Sequence, residues 1–191
     1  MSGFSRTARY VVSGFPSERP QGKQPDQFVT LVYIYDRVSA VLSRKSKYGL
    51  KALLVLAREA GRGPVLISEL ADRDAIPKKF LEAILLELKR RGVVQSQKGK
   101  GGGYFLRRKP AEITFGEVIR VLDGPLAAVP CVSKLAYMKC AECVDEQTCG
   151  VRLAMKEVRD ATADILDNTT LADVNTRIAR TRRGSVRNRK R

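Results

Sequence analysis

Every cysteine in the chain lies between Cys131 and Cys149, and any fold has to accommodate that clustering. Cys131, Cys140, Cys143 and Cys149 are separated by eight, two and five residues. The segment holds too little apolar side chain to bury a core of its own, so something else must order it. Disulfides are one such agent, but no secretory signal precedes the segment and the rest of the chain reads as intracellular. Thiolates gathered this closely suit a soft metal, either zinc or an iron–sulfur cluster. The Cys-x-x-Cys at 140–143 lets one turn present two sulfurs to one centre. Four unligated thiols in a loop are the alternative.

Composition narrows the chemistry further. The chain has no histidine, which removes Ser-His-Asp and Cys-His catalysis and imidazole as a metal ligand. An enzyme is not expected. The net charge of +16 over 191 residues points to a polyanionic partner, most commonly nucleic acid. No apolar run is long enough to span a bilayer, so no membrane partner is expected and the cytoplasm is the expected location. The longest run, Phe28 to Tyr35, is β-prone but isolated, and it starts too deep and is too short for a signal peptide. Residues 1–41, of which Met1 to Gln27 is rich in Ser, Gly, Pro and Gln, read as a disordered extension.

Order begins at Ser43, which caps a helix to about Ala60 that Gly61 ends. Ser68 caps a short second helix, Glu69 to Arg73, and a turn leads to Pro77 at the first position of a third helix. That helix runs to about Arg91, burying Phe80, Leu81, Ile84, Leu85 and Leu88. A short helix, a tight turn and a longer helix make the helix-turn-helix plan. Two strands, 93–97 and 104–107, joined by the glycine-rich turn 98–103, would form a wing. The glycines lack the Gly-Lys-Ser/Thr of a nucleotide loop. Thr114 caps a helix to Leu122, and the winged helix, 42–125, is expected to close its own core. The cysteine loop, 126–149, leads into a helix from Gly150 to Asp167. Its apolar stripe, Val151, Ala154, Met155, Val158, Ala161 and Ile165, is expected to pair with a second copy in a homodimer. Thr169 or Thr170 caps a last short helix through Ile178, and 179–191 reads as a basic, structureless tail.

The fold class expected is therefore mainly α with a small β-wing, and double-stranded DNA is the expected partner. Lys78 and Lys79 open the third helix, whose N-terminal end would face base edges in the major groove. Lys98 and Lys100 stand at the wing tip, in reach of phosphate. Lys89, Arg90 and Arg91 close the third helix, where a solvated helix end is as good a reading as DNA contact. Glu82 on the presumed DNA face either accepts from a cytosine amine or pairs with Lys78 or Lys79.

Four stretches carry a resemblance: Ser-Arg-Lys-Ser-Lys-Tyr-Gly-Leu-Lys-Ala-Leu (43–53), Ile-Pro-Lys-Lys-Phe-Leu-Glu (76–82), Lys-Gly-Lys-Gly-Gly-Gly-Tyr (98–104) and Asp-Asn-Thr-Thr-Leu-Ala-Asp (167–173). Together they resemble the Rrf-two family of dimeric bacterial winged-helix regulators. The resemblance spans about residues 42–178. It implies an iron–sulfur cluster (2Fe-2S or 4Fe-4S) held by three cysteines before the dimer helix, and DNA binding that depends on cluster state. By position, Cys131, Cys143 and Cys149 match those ligands, and Lys79, Glu82 and Lys98 match DNA-reading positions. Two family ligand positions fall on Arg152 and Lys47, which cannot ligate. The extra thiol Cys140 could supply a fourth bond, and Glu142, Asp145 or Glu146 could do so less well. A structural zinc, or thiols without a cluster, is the alternative. Because the resemblance starts at Leu42, just after a valine that a GTG start codon would encode, the native chain is expected to begin at Val41.

Overall fold

The computed structural model describes residues 42–188; residues 1–41, including the β-prone run at 28–35, and residues 189–191 lie outside the described residues. Six α-helices and one two-stranded sheet make up this part of the chain. They are α1 (Arg44–Arg58), α2 (Ile67–Asp74), α3 (Lys78–Arg90), β1 (Val94–Gln97), β2 (Gly103–Leu106), α4 (Phe115–Leu122), α5 (Gly150–Asp167) and α6 (Leu171–Asn188). Short 3₁₀ turns at Pro110–Glu112 and Pro130–Val132 precede α4 and the cysteine loop.

Ser43 starts α1 as expected: its hydroxyl accepts from the Ser46 amide at 3.1 Å. The Ser43 hydroxyl also donates to Asp123, beyond the end of α4. Lys45 donates to the Leu122 carbonyl at 3.0 Å and pairs with Glu87 of α3 at 2.6 Å. One short segment thus ties α1 to both α3 and α4. The core fills the space among them with Leu53, Leu56, Leu70, Leu81, Ile84, Leu85 and Leu88.

Three expectations shift for identifiable reasons. Helix α2 starts at Ile67, two residues early, with Leu66 at the N-cap and no side-chain cap. The cause is long-range: Val65 forms a bridge with Tyr104 of the wing (N···O 2.9 and 2.8 Å), so the chain must turn immediately afterwards. Pro77 is the N-cap of α3 rather than its first residue. Phe80 is 40 % exposed, because it lies to one side of the Leu81–Ile84–Leu85–Leu88 stripe; its ring makes a T-shaped contact with Tyr48, with centroids 5.8 Å apart.

The winged helix does not close its core by residue 125. Leu171, at the start of α6, is fully buried in that core. Its amide donates to the Ile113 carbonyl at 3.0 Å, and the Phe115 amide donates to the Thr169 carbonyl at 2.9 Å. The N-termini of α4 and α6 are therefore stapled side by side. Thr170 rather than Thr169 caps α6, in a reciprocal box. Its hydroxyl accepts from the Asp173 amide at 3.1 Å, and its own amide donates to the Asp173 carboxylate at 3.0 Å. The Thr170 hydroxyl also donates to the Asp173 carboxylate at 2.6 Å, and this bond, with that of the Thr170 amide, holds the carboxyl below the usual range. Asn175 extends the attachment by donating to the Leu54 carbonyl of α1 at 3.1 Å. Helix α6 then continues through Asn188, ten residues beyond the expected end at Ile178. The basic segment read as structureless is helical there, because arginine is a good helix former and no proline interrupts it.

The burial of Leu171 predicts that Leu171→Ala destabilises the whole domain by about 2–5 kcal/mol, as for a large-to-small core change. Urea unfolding of the variant should show one cooperative transition at a lower midpoint, whereas a core complete at residue 125 would leave the midpoint unchanged.

Candidate DNA interface and thiol centre

Helix α3 exposes Lys78, Lys79 and Glu82, the three residues expected to face DNA. Lys78 and Glu82 lie four residues apart, and Lys79 and Glu82 three apart, so all three share one side of the first turn and a half. Among the described residues no ion pair involves any of them, so the intrahelical pairing considered for Glu82 is not formed. The face carries free cations and one free carboxylate.

The wing projects from the same helix. Strands β1 and β2 pair antiparallel, Val94 opposite Leu106 and Gln97 opposite Gly103, and Lys98 and Lys100 are exposed at the tip. Gly103 makes the arrangement possible: a Cβ there would stand 2.3 Å from the Val65 carbonyl oxygen, inside the bridge that joins the wing to the helical body. Lys89, read either as solvated or as a DNA contact, donates from Nζ to the Ser96 hydroxyl at 2.6 Å. It braces α3 against β1. Sequence reading missed this because the partner lies across a turn on another element.

The cysteine loop runs from the Pro130–Val132 turn to the start of α5, without regular structure between 133 and 149. Cys131 is buried, and Cys140, Cys143 and Cys149 are half-buried. The thiols stand as two neighbouring pairs. A hydrogen bond with Cys131 raises the Cys140 thiol above its ordinary pKa, with desolvation adding to the shift. Burial first, and then its neighbour Cys149, raises that of Cys143. Among the described residues no three Cys, Asp or Glu side chains converge as a metal site. The carboxylates weighed as extra ligands are partly committed elsewhere. Asp145 accepts from the Thr148 hydroxyl (2.6 Å) and from the amides of Gln147 and Thr148, which lowers its pKa, and Glu146 accepts from the Tyr137 hydroxyl. Arg152, where the resemblance implies a ligand, donates instead to the carbonyls of Cys131 (3.3 Å) and Glu146 (3.4 Å).

The donor set nevertheless suits a soft metal. Four thiols lie on one irregular loop, near enough for Cys140 to feel Cys131 and Cys143, and for Cys143 to feel Cys149. Deprotonation by a bound cation would outweigh the raised thiol pKa values. One centre would require the two pairs to close on each other.

Helix α5 has an unusual burial pattern. Its only buried residue is Arg159, while Val151 (65 %), Val158 (49 %) and Ile165 (65 %) of the expected dimer stripe are exposed, Ala154 and Ala161 with them. Met155 is half-buried. No helix among the described residues is long and apolar enough to cross a membrane.

A helix-turn-helix with an exposed basic N-terminal face and a two-stranded wing defines a winged-helix transcriptional regulator. The chain belongs to the Rrf2 (Rrf-two) family, described as iron-dependent transcriptional regulators, whose sequence profile matches residues 42–177. It is 43 % identical over 137 residues to an rrf2-like HTH-type transcriptional regulator of Rhodobacter capsulatus, covering 70 % of this chain and 91 % of that one. It is 33 % identical to the HTH-type regulator CymR of Bacillus subtilis, covering 70 % of this chain and 88 % of the relative. The solved structure of CymR, the global cysteine regulator of that bacterium, superposes with a TM-score of 0.60 at 32 % identity, covering 71 % of this chain and 95 % of CymR. That of T. potens IscR does so with 0.58 at 28 %, covering 72 % and 87 %.

The two kinds of residue on the DNA face should separate by experiment. Lys98→Ala is expected to weaken binding to all duplexes and to reduce the slope of log affinity against log salt by about one unit, as for one lost phosphate contact. Glu82→Ala is expected to relax sequence preference by about 1–3 kcal/mol at one base pair, visible in a binding-site selection profile.

Proposed function

We propose that the chain is a homodimeric regulator that binds double-stranded operator DNA in the cytoplasm, with affinity set by an iron–sulfur cluster on Cys131, Cys143 and Cys149, and with Cys140 as fourth ligand. The observation that carries this reading is the placement of the thiols. All four sit on one loop whose last cysteine, Cys149, is the N-cap of the helix expected to make the dimer. Lys78, Lys79, Glu82, Lys98 and Lys100 supply the DNA face.

When bound, the cluster supplies a redox- and ligand-sensitive centre of thiolate-held iron. The protein supplies the rest. Arg152 fixes the backbone at Cys131, and Cys149 accepts the first turn's hydrogen bond from the Leu153 amide at 3.0 Å. Order in the loop therefore bears on the direction in which α5 leaves it. In a dimer joined through Val151, Ala154, Met155, Val158, Ala161 and Ile165, that direction sets the separation of the two recognition helices. Half-sites lie about 34–36 Å apart, so a small tilt lowers operator affinity strongly.

The two thiol pairs favour a second reading, in which the cysteines hold a structural zinc or no metal and the protein binds DNA regardless. Anaerobic purification followed by an absorption spectrum separates the two. Charge-transfer bands between roughly 320 and 450 nm mean iron–sulfur, since zinc is d¹⁰ and colourless. Cys143→Ala and Cys149→Ala are expected to abolish those bands and change operator affinity several-fold, and an unchanged, equally stable spectrum in Cys140→Ala removes Cys140 from the ligand set. For the dimer, Ile165→Asp places a charge in the apolar stripe and should give monomers by light scattering, with the fold retained because Ile165 makes no core contact.

A further inference from the structure

Arg159 is the one residue of α5 that the fold buries, and its burial is incompletely compensated. The side chain is 9 % exposed, and among the described residues its Nε–H has no hydrogen-bond partner. Its single ion-pair partner is the adjacent Asp160, at 3.0 Å from Nη2. Asp160 is shared with Lys134, at 3.4 Å. A guanidinium taken out of water with an unsatisfied donor is an unfavourable arrangement unless something else occupies the space beside it.

Such a space exists. Arg159 lines a cavity of about 170 Å³ between the end of α4, the segment 133–135 and α5. Its polar side holds Arg159, Ser133, Lys134, Arg120 and the Asp167 carboxylate. Ser133 is buried and its Oγ accepts from the amides of Leu135 and Ala136, at 3.3 and 2.9 Å, which leaves its own proton free to donate. Arg120 is committed to Asp167 at 2.8 Å. Around the cavity three cations, Arg120, Lys134 and Arg159, stand against two carboxylates, Asp160 and Asp167, so one positive charge is left over. The remaining wall is apolar, with Pro125, Leu126 and Ala163 among its residues.

We infer that this cavity is a binding site for a small organic monocarboxylate, its carboxylate taking the Arg159 Nε–H and the Ser133 hydroxyl and its apolar body lying on Leu126 and Ala163. Water would satisfy the donor but not the charge. A bare inorganic anion would leave the apolar wall uncovered. The volume sets the size: a cavity of about 150 Å³ takes a benzene ring, so this one takes about six to eight heavy atoms. The site contains no cysteine, and it stands whether or not the thiols hold a metal. A bound carboxylate would join Ser133, two residues after Cys131, to the middle of α5, and so fasten the beginning of the cysteine loop to that helix.

Titrating the full-length protein with sodium butyrate, and separately with neutral butyramide and with inorganic phosphate, tests the site. Two readouts serve: calorimetry, and the Arg159 Nε–H cross-peak in a ¹H–¹⁵N spectrum, assigned by its loss in Arg159→Lys. The expected result is a saturable butyrate isotherm in the millimolar range that moves this cross-peak, with butyramide silent and phosphate non-saturating. Ala163→Leu, which fills the cavity without touching a polar group, should weaken butyrate binding at least about tenfold and leave the melting transition in place. Equal responses to butyrate and butyramide would overturn the assignment, as would an isotherm unaffected by Ala163→Leu, or saturation by phosphate alone. So would a cross-peak that moves with protein concentration and not with butyrate, which would mean that a carboxylate of a second copy fills the space.

Discussion

The arrangement of this domain depends on a backbone staple. The amide of Leu171 bonds to Ile113, that of Phe115 bonds to Thr169, and the Leu171 side chain fills the core between them. These contacts bring the starts of α4 and α6 together, so everything between residues 123 and 168 becomes an excursion that leaves and returns to nearly the same place. The cysteine loop and α5 are that excursion. Two further contacts hold its position: the Arg120–Asp167 pair between α4 and the end of α5, and Gly116, where a Cβ would collide with the Asp167 carboxylate. The thiols are thus referred to the DNA-binding body through α4 rather than through the wing.

That architecture separates two tasks on one helix. The face of α5 turned inward carries Arg159 and lines the cavity with Ala163, while the outward face shows Val151, Val158 and Ile165. A helix whose buried position is charged and whose exposed positions are aliphatic is stable as a surface element only if something covers the aliphatic side. In the proposed homodimer a second copy would meet that requirement without any new element.

Local signals were legible in the sequence where local physics decides. The Ser43 and Thr114 caps, the bounds of α5 and the Val94–Leu106 hairpin could all be read from caps, periodicity and glycine placement, and so could the exposed set Lys78, Lys79, Glu82, Lys98 and Lys100. Misreadings arose where a distant partner decides. The start of α2 moved because Val65 is taken by Tyr104, a wing residue about forty positions later. Leu171 looked like the first apolar residue of a peripheral helix because nothing nearby reveals that Ile113 awaits it. Phe80 looked buried because its hydrophobicity was counted without its angle around α3. Arg159 lies off the apolar stripe of α5, and only the packed structure shows it buried beside the cavity that Ser133 also lines. The pairing of the thiols is of the same kind, since spacing says which cysteines are near in sequence and not which touch.

Arg152 occupies the place where a family resemblance implies a metal-binding side chain, and it grips the loop through two carbonyl oxygens instead. Its bonds reach the Cys131 backbone at one end and Glu146, close to Cys149, at the other. The loop is therefore latched shut at its base by the polypeptide itself, like a handle riveted at both ends. Anything the thiols bind has only the arch between the rivets left to order. In this chain the fold already sets the base of the arch, where Cys131 and Cys149 stand, and the crown, with Cys140 and Cys143, is the part whose order depends most on what all four thiols bind.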